Sequence, residues 1–327
     1  MLFRHLRVAG ALFWAVLALS AGAPVAVEAQ AYPARPIKII VPNPPGGATD
    51  TTARIVGARL SELLGQPVVI ENRPGSAGNL ANEVTAKSPA DGYTIMLGQD
   101  SQIVVNPYLY TTTTLDPLKA FVPVASLVTT VMILTVNPSL PVKDFHDFVE
   151  YARRANPPLP YASIGNGSPH HLAMEMLKRR AGINLIHVPY KGGGPASAAL
   201  IAKEVTAEFG GNSTGPQIKQ GLLRGLAVTS VKRDAEFPEL PPIADTYPGF
   251  EVTPWLGFFA PAGVPAEIVS RLHDTVNRAL TEPAVVARFH SGGMTPFVTT
   301  PAQFAAFIKS EDAKYRELVK TIGVHVD

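Results

Sequence analysis

Ile37-Lys38-Ile39-Ile40-Val41-Pro42-Asn43-Pro44-Pro45-Gly46-Gly47-Ala48-Thr49-Asp50 is the stretch on which the fold turns. Its first part is a short apolar run with the composition of a buried strand. Beyond it, Ala53, Val56, Leu60, Leu63 and Leu64 return near one face of a helix that Gly65 can close. Strand, glycine-bearing loop and helix in this order present backbone N–H groups at the positive end of the helix, where an anion can be held. The same glycines also suit a plain tight turn. The loop alone leaves both readings open.

Working outward, the unit recurs. Val68-Val69-Ile70 leads into a second glycine-rich loop, residues 71–79, then a helical stretch towards Lys87. Pro89-Ala90-Asp91-Gly92 forms a turn before a third strand at residues 93–97. Strands alternating with helices predict βαβ units and a parallel sheet. After a less regular stretch at 108–123, β-branched runs at 121–136 mark the passage into a second domain. There a helix at 144–155, opened by Asp144, precedes a strand at 159–163, a loop at 164–171 and a helix stopped by Gly182. Strands at 185–188, 205–209 and 226–229 follow, with Pro195 and Pro216 in the first turns of intervening helices. The proline-rich residues 237–254 connect back to a strand at 255–260. Helices at 266–280, 284–290 and 303–322 end the chain, the last capped by Thr300.

Of 327 residues, 46% are hydrophobic and 17% charged, and the formal net charge is +2. Such a balance lacks the basic field of a nucleic-acid or membrane-surface protein. A charged ligand must therefore be recognised by local groups. Arg4 and Arg7 followed by an apolar stretch at 9–23 read as a secretory signal, with cleavage after Ala29 or Ala31. The absence of cysteine excludes disulfides, thiolate metal sites and cysteine nucleophiles. A soluble exported protein, periplasmic and stabilised by its core, is expected.

Several small-residue loops fall where a strand runs into a helix, the side of a parallel sheet where ligands bind. Gly165-Asn166-Gly167-Ser168 starts like a dinucleotide fingerprint, but His170 stands where a further glycine belongs, so no nicotinamide site is expected. What remains is a loop of N–H donors with Ser168 and His170, Ser168 serving equally well as an N-cap. His170 and His171 point about 100° apart on a helix and cannot readily share a metal. His171 and Glu175, four apart, read as a surface pair. Gly211-Asn212-Ser213-Thr214-Gly215 matches the nucleophile-elbow pattern, with Asp245 and His273 downstream, but no oxyanion loop precedes it. Asn212 and Ser213 otherwise read as polar loop residues lining a cleft. Tyr190 and Lys191 could reach the same cleft, and Trp255 is expected to pack at a domain junction.

Pro33-Ala34-Arg35-Pro36-Ile37, the Pro-Gly-Gly-x-x-Asp ending at Asp50, Glu71-Asn72-Arg73-Pro74-Gly75 and Asp91-Gly92-Tyr93-Thr94 occur in order. Asn106-Pro107, His187-Val188-Pro189-Tyr190-Lys191-Gly192, Leu226-Ala227-Val228-Thr229 and Ala260-Pro261-Ala262-Gly263 follow. Across essentially the whole mature chain this resembles the periplasmic receptors of tripartite tricarboxylate transporters, the Bug family. The resemblance implies a type II periplasmic binding fold: two α/β domains with mixed, mainly parallel sheets and a ligand cleft between them. On this reading residues 1–31 are the signal peptide, 32–127 with 255–327 one discontinuous domain, and 128–254 the other. It further implies that loops 43–50 and 163–170 clamp a small carboxylate, and that two membrane subunits of a secondary transporter receive it.

The expected ligand contacts are Asn43, Pro45, Gly46, Gly47, Ala48, Thr49, Asp50, Gln99, Ser101, Ser163, Gly165, Gly167, Ser168, His170, Tyr190 and Asn212. No catalytic residue, metal or cofactor is expected, and the receptor is expected to be a monomer that does not bind nucleic acid. Where many relatives carry an aromatic residue this chain has Asn43, and aspartates common in relatives are absent at Thr206 and Gly210. Losing those acids points to a carboxylate without an amine, unless Asp100 faces the cleft. The alternatives are an esterase using Ser213 and a ligand-sensing domain that signals through a partner.

Overall fold

Ile37–Val41 forms strand β1, whose Ile37, Ile39, Ile40 and Val41 are almost wholly buried. A strand covered on both faces needs such a continuous apolar run. Helix α1 (Ala48–Leu64) follows and ends at Gly65, whose φ of 66° is the left-handed conformation that closes a helix. Ala53, Val56 and Leu60 turn inward from it. Gly57 allows close approach to the sheet, since a Cβ there would lie 3.1 Å from Ile70 Cδ1. Strand β2 (Val68–Asn72), helix α2 (Asn79–Ala86) and strand β3 (Thr94–Gln99) complete this unit. Both β2 and β3 pair with β1 in parallel.

The computed structural model describes residues 32–110, 115–211 and 214–323. The proposed leader, and Asn212 and Ser213, lie outside them. Among the described residues, those from Arg35 onward make one compact unit.

A π-helical turn at Ser101–Val105 and a short helix α3 (Asn106–Leu109) follow β3, neither foreseen from the sequence. Helix α4 (Pro117–Ala120) leads into strand β4 (Phe121–Thr129), which enters the first sheet and runs past the expected passage at residue 128. Strand β5 (Ile133–Val136) already belongs to a second sheet. That sheet contains β6 (Leu159–Ser163), β7 (Leu185–Pro189), β8 (Ala207–Gly210) and β9 (Arg224–Val228). Helices α5 (Phe145–Arg154), α6 (Pro169–Ala181), α7 (Gly193–Ile201) and α8 (Thr214–Lys219) connect them. Strand β10 (Trp255–Pro261) returns to the first sheet, followed by α9 (Ala266–Leu280), α10 (Pro283–Ser291), the short β11 (Thr295–Pro296) and α11 (Pro301–Ile322).

The first sheet has the order β11-β4-β10-β3-β1-β2 and the second β7-β6-β8-β5-β9. Both are mixed. The mixed sheets agree with the expected fold class: β10 lies antiparallel to β3 and β4 in one sheet, and β5 antiparallel to both neighbours in the other. The two crossings lie side by side: Thr130 N–H donates to Pro254 O, and Thr229 N–H to Met132 O, each at 2.9 Å. One hydrophobic cluster runs from Ile40 and Met96 through Leu109 and Leu172 to Trp255, Phe304 and Tyr315. The two sheets therefore share a continuous core.

Candidate ligand-binding site

At the end of β1, Val41 and Pro42 are buried, Asn43 is half-buried, and Pro44, Pro45, Gly46, Gly47 and Ala48 are exposed. Gly46 takes a φ of 90°, a conformation glycine adopts without strain. Gly47 caps α1 without a side-chain hydrogen bond, so the first turn opens towards the exposed loop. Asp50 braces the loop from beneath. Gly46 N–H and Arg54 Nε each donate to its Oδ2 at 2.9 Å, and Asn72 Nδ2 donates to Oδ1 at 3.0 Å. Asn72 Nδ2 also reaches Asn43 O at 2.9 Å, while Thr49 Oγ1 donates to Asn43 Oδ1 at 3.1 Å. The Arg54 hydrogen bond lowers the Asp50 pKa to about 2 against the opposing effect of burial. Both Asp50 oxygens are thus engaged within the protein. Asn72 joins this set although it is not among the expected contacts; its 22-residue separation from Asp50 hides the pairing in the sequence.

Gln99 ends β3 half-buried and pairs with Leu256 across the ladder. Ser101 opens the π-helical turn, its N–H donating to Asp100 Oδ1 at 2.7 Å. Asp100 is only 3% exposed and neighbours Trp255, Glu311 and Lys314. Burial pushes its pKa up to about 7. It is a buried acid beneath the returning strand, and so does not replace the missing aspartates.

At the end of β6 the loop is held from within. Ser163, 1% exposed, donates from Oγ to Gly165 O at 3.1 Å and accepts from Gly165 N–H at 3.1 Å. Ser168 donates to Gly165 O at 2.7 Å and caps α6 by accepting from His171 N–H at 3.3 Å. The N-cap reading of Ser168 is therefore correct. Gly167 N–H donates to His171 Nδ1 at 3.1 Å. His171 is buried, and Glu175 instead accepts from Tyr161 and Lys178, so the expected surface pair of His171 and Glu175 is corrected. His170 Nδ1 is buried without a partner, and burial lowers the ring's pKa to about 4. Its Nε2 points towards Gly211, 3.5 Å from where a Cβ there would stand. Tyr190 is tied by its backbone N–H to Ser163 O at 2.9 Å, and Lys191 is exposed.

The structure therefore assembles two sets, one around Asn43–Thr49–Asp50–Asn72 and one around Ser163–Gly165–Ser168–His171. Leu109, after β3, meets the second set: a Cβ on Gly167 would fall 2.2 Å from Leu109 Cδ1. A separate cavity of about 1140 Å³ opens beside the crossings, lined by Val131, Ile133, Phe237, Met294 and Phe297 among others. It contains none of the described residues expected to bind ligand. The hydrolase alternative gains nothing from His273, whose Nδ1 and Nε2 lie 2.9 Å from Val124 O and Asn277 Nδ2. Trp255 is 1% exposed and packs edge-on to Phe304 and Phe307, the junction role expected of it.

Two mixed α/β sheets joined by paired crossings, with loops at strand ends, make an α/β fold of two sheets. Residues 52–324 match the model described as tripartite tricarboxylate transporter family receptor. BugT of Bordetella pertussis is 36% identical over 93% of this chain and 94% of its own length. The structure of R. palustris Rpa4515 with adipate superposes with a TM-score of 0.79 at 35% identity, covering 90% of this chain and 99% of that one. MatC of Rhodopseudomonas palustris with bound malate gives 0.74 at 31%, covering 88% and 100%. The chain belongs to the tripartite tricarboxylate transporter receptor family.

Proposed function

We propose that this receptor captures a small carboxylate lacking an amino group and delivers it, in the periplasm, to the two membrane subunits of a tripartite tricarboxylate-type transporter. The carrying observation is the braced opening of α1. Because Asp50, Arg54 and Asn72 satisfy one another, the exposed loop keeps a fixed shape and the uncapped helix end faces outward. A fixed set of N–H donors at a positive helix end suits an anion and needs no lysine or arginine. The relatives solved with adipate and malate support the carboxylate class.

Asp50 acts on this reading through the loop, while Asn43, Gly47 and Ala48 in one domain, and Ser168, His170, Tyr190 and Asn212 in the other, meet the ligand. The lobes exchange chain near residues 128–132 and 229–254, and hinge closure brings the loop sets together. Gly210 supports the exclusion of amines: a side chain there would lie 2.3 Å from Thr214 Cγ2, so Thr214 fills the place an acid would need.

A thermal-shift series with adipate, malate, benzoate, amino acids and sugars tests this. A stabilisation of about 2.7 kcal/mol is expected at a hundredfold excess over Kd. Stabilisation by amino acids or sugars, with none by any carboxylate, overturns the reading. Uptake of the stabilising carboxylate by cells, lost on deletion of the membrane subunits, separates transport from sensing.

A further inference from the structure

We propose that His171 and His187 are positioning residues: as a stacked pair they fix the loop at residues 163–168 in its ligand-binding shape, through Gly167 and Ser163. This rests on the assignment of that loop to the ligand site.

The two rings lie face to face, with centroids 3.9 Å apart and planes 7° from parallel, and Tyr161 continues the stack at 5.0 Å from His187. Each imidazole holds one side of the loop. Gly167 N–H donates to His171 Nδ1 at 3.1 Å, which requires a lone pair there and places the neutral ring's proton on Nε2. Ser163 Oγ lies 2.6 Å from His187 Nε2; with the hydroxyl hydrogen directed to Gly165 O, the imidazole donates here from Nε2–H. Between these points Gly165 and Gly167 have φ values of 135° and 71°, so the loop's path depends on what holds it.

Charge would undo this arrangement. An imidazolium at His171 carries a proton where Gly167 N–H now donates, and two charged rings at this spacing repel. Groups around the stack act in both directions. Glu175, on α6, favours a proton on either ring, while Lys178 on the same helix opposes it. Tyr161 on β6 gives its hydroxyl hydrogen to Glu175. Burial is the largest influence on both rings, lowering His171 to about 4 and His187 in the same direction. His171 is therefore uncharged in the neutral range, and burial shifts His187 towards the same state.

Two measurements on the mature protein test the assignment. In the ligand-free protein, ¹⁵N spectra should show His171 as the Nε2–H tautomer at neutral pH. Protection of the Gly167 amide from exchange should fall with the same midpoint as the His171 titration. With adipate as the probe, His171→Asn, whose Oδ1 still offers an acceptor, should bind within about threefold of wild type, whereas His171→Leu should lose about tenfold or more. A His171 ring protonated on Nδ1 at neutral pH, or Gly167 protection indifferent to its titration, overturns the proposal. So does equal binding by the Asn and Leu variants, both folded, when wild type binds. If adipate fails to bind wild type, the carboxylate reading loses support, while the ligand-free spectra still decide the role of the histidines.

Discussion

Asp50 stands in the first turn of α1 with both carboxylate oxygens taken by its own protein. Asp50→Asn removes the charge that Arg54 answers and presents an amide where donors already converge. A loss of about 1–3 kcal/mol in urea unfolding, with weaker ligand binding, is expected. Its depressed pKa gives a stabilisation present above the ordinary carboxylate value near 3.8 and lost as pH falls towards about 2. Glu208 has the opposite sign. It is 2% exposed, accepts from Ser197 Oγ at 2.8 Å, and burial raises its pKa to about 7. Its favourable contribution is full below about 4.5 and disappears as pH rises through 7. Glu208→Gln should match wild type at pH 4 and be more stable at pH 8, by at most on the order of 3 kcal/mol, in parallel urea titrations. At this scale the caps Asp144, Ser168 and Thr300 are legible in the sequence, because each acts on backbone a few positions ahead. The pairs Asp50–Asn72 and His171–His187 are not, because chain folding brings their partners together.

Among the elements, α11 shows how local signals suffice when they are strong. Thr300 Oγ1 accepts from Gln303 N–H at 3.2 Å, and Gln303 Oε1 accepts from Thr300 N–H at 2.9 Å. Thr300→Ala breaks this reciprocal cap and should cost about 1 kcal/mol, read as a lowered thermal midpoint with unchanged ligand affinity. The helix at 303–322 is readable from its Thr300 cap, and β1 from its compact apolar run. The π-helical turn at Ser101–Val105 was not, because its widened hydrogen bonding has no periodic signature. The strand expected at 205–209 is registered later, at Ala207–Gly210. Val205 is buried and Thr206 N–H reaches Pro160 O, so apolarity begins before regular pairing does.

For the whole molecule, repeated strand–loop–helix units made an α/β architecture legible, whereas the direction and placement of the crossing strands required the three-dimensional pairing. The contact of Gly167 with Leu109 joins the two halves next to the proposed ligand loop. Gly167→Ala places a methyl group against Leu109 at a backbone φ of 71°. The left-handed conformation alone costs about 1–2 kcal/mol for such a residue. Adipate affinity should fall about tenfold or more, and small-angle scattering should show less ligand-induced compaction than in wild type. Equal affinity and equal compaction would remove this contact from any account of closure.

Trp255 begins the strand that returns from one sheet to the other, and it is the single tryptophan beyond residue 31. It is buried among Phe259, Phe304 and Phe307, with Asp100 and Glu311 close by. Residues 32–327 thus carry one indole fluorophore, placed where the crossings meet the first sheet. A hinge movement of the proposed kind would alter the electric field and the quenching it experiences, so its emission, followed in stopped flow, is expected to time capture and release without an added label.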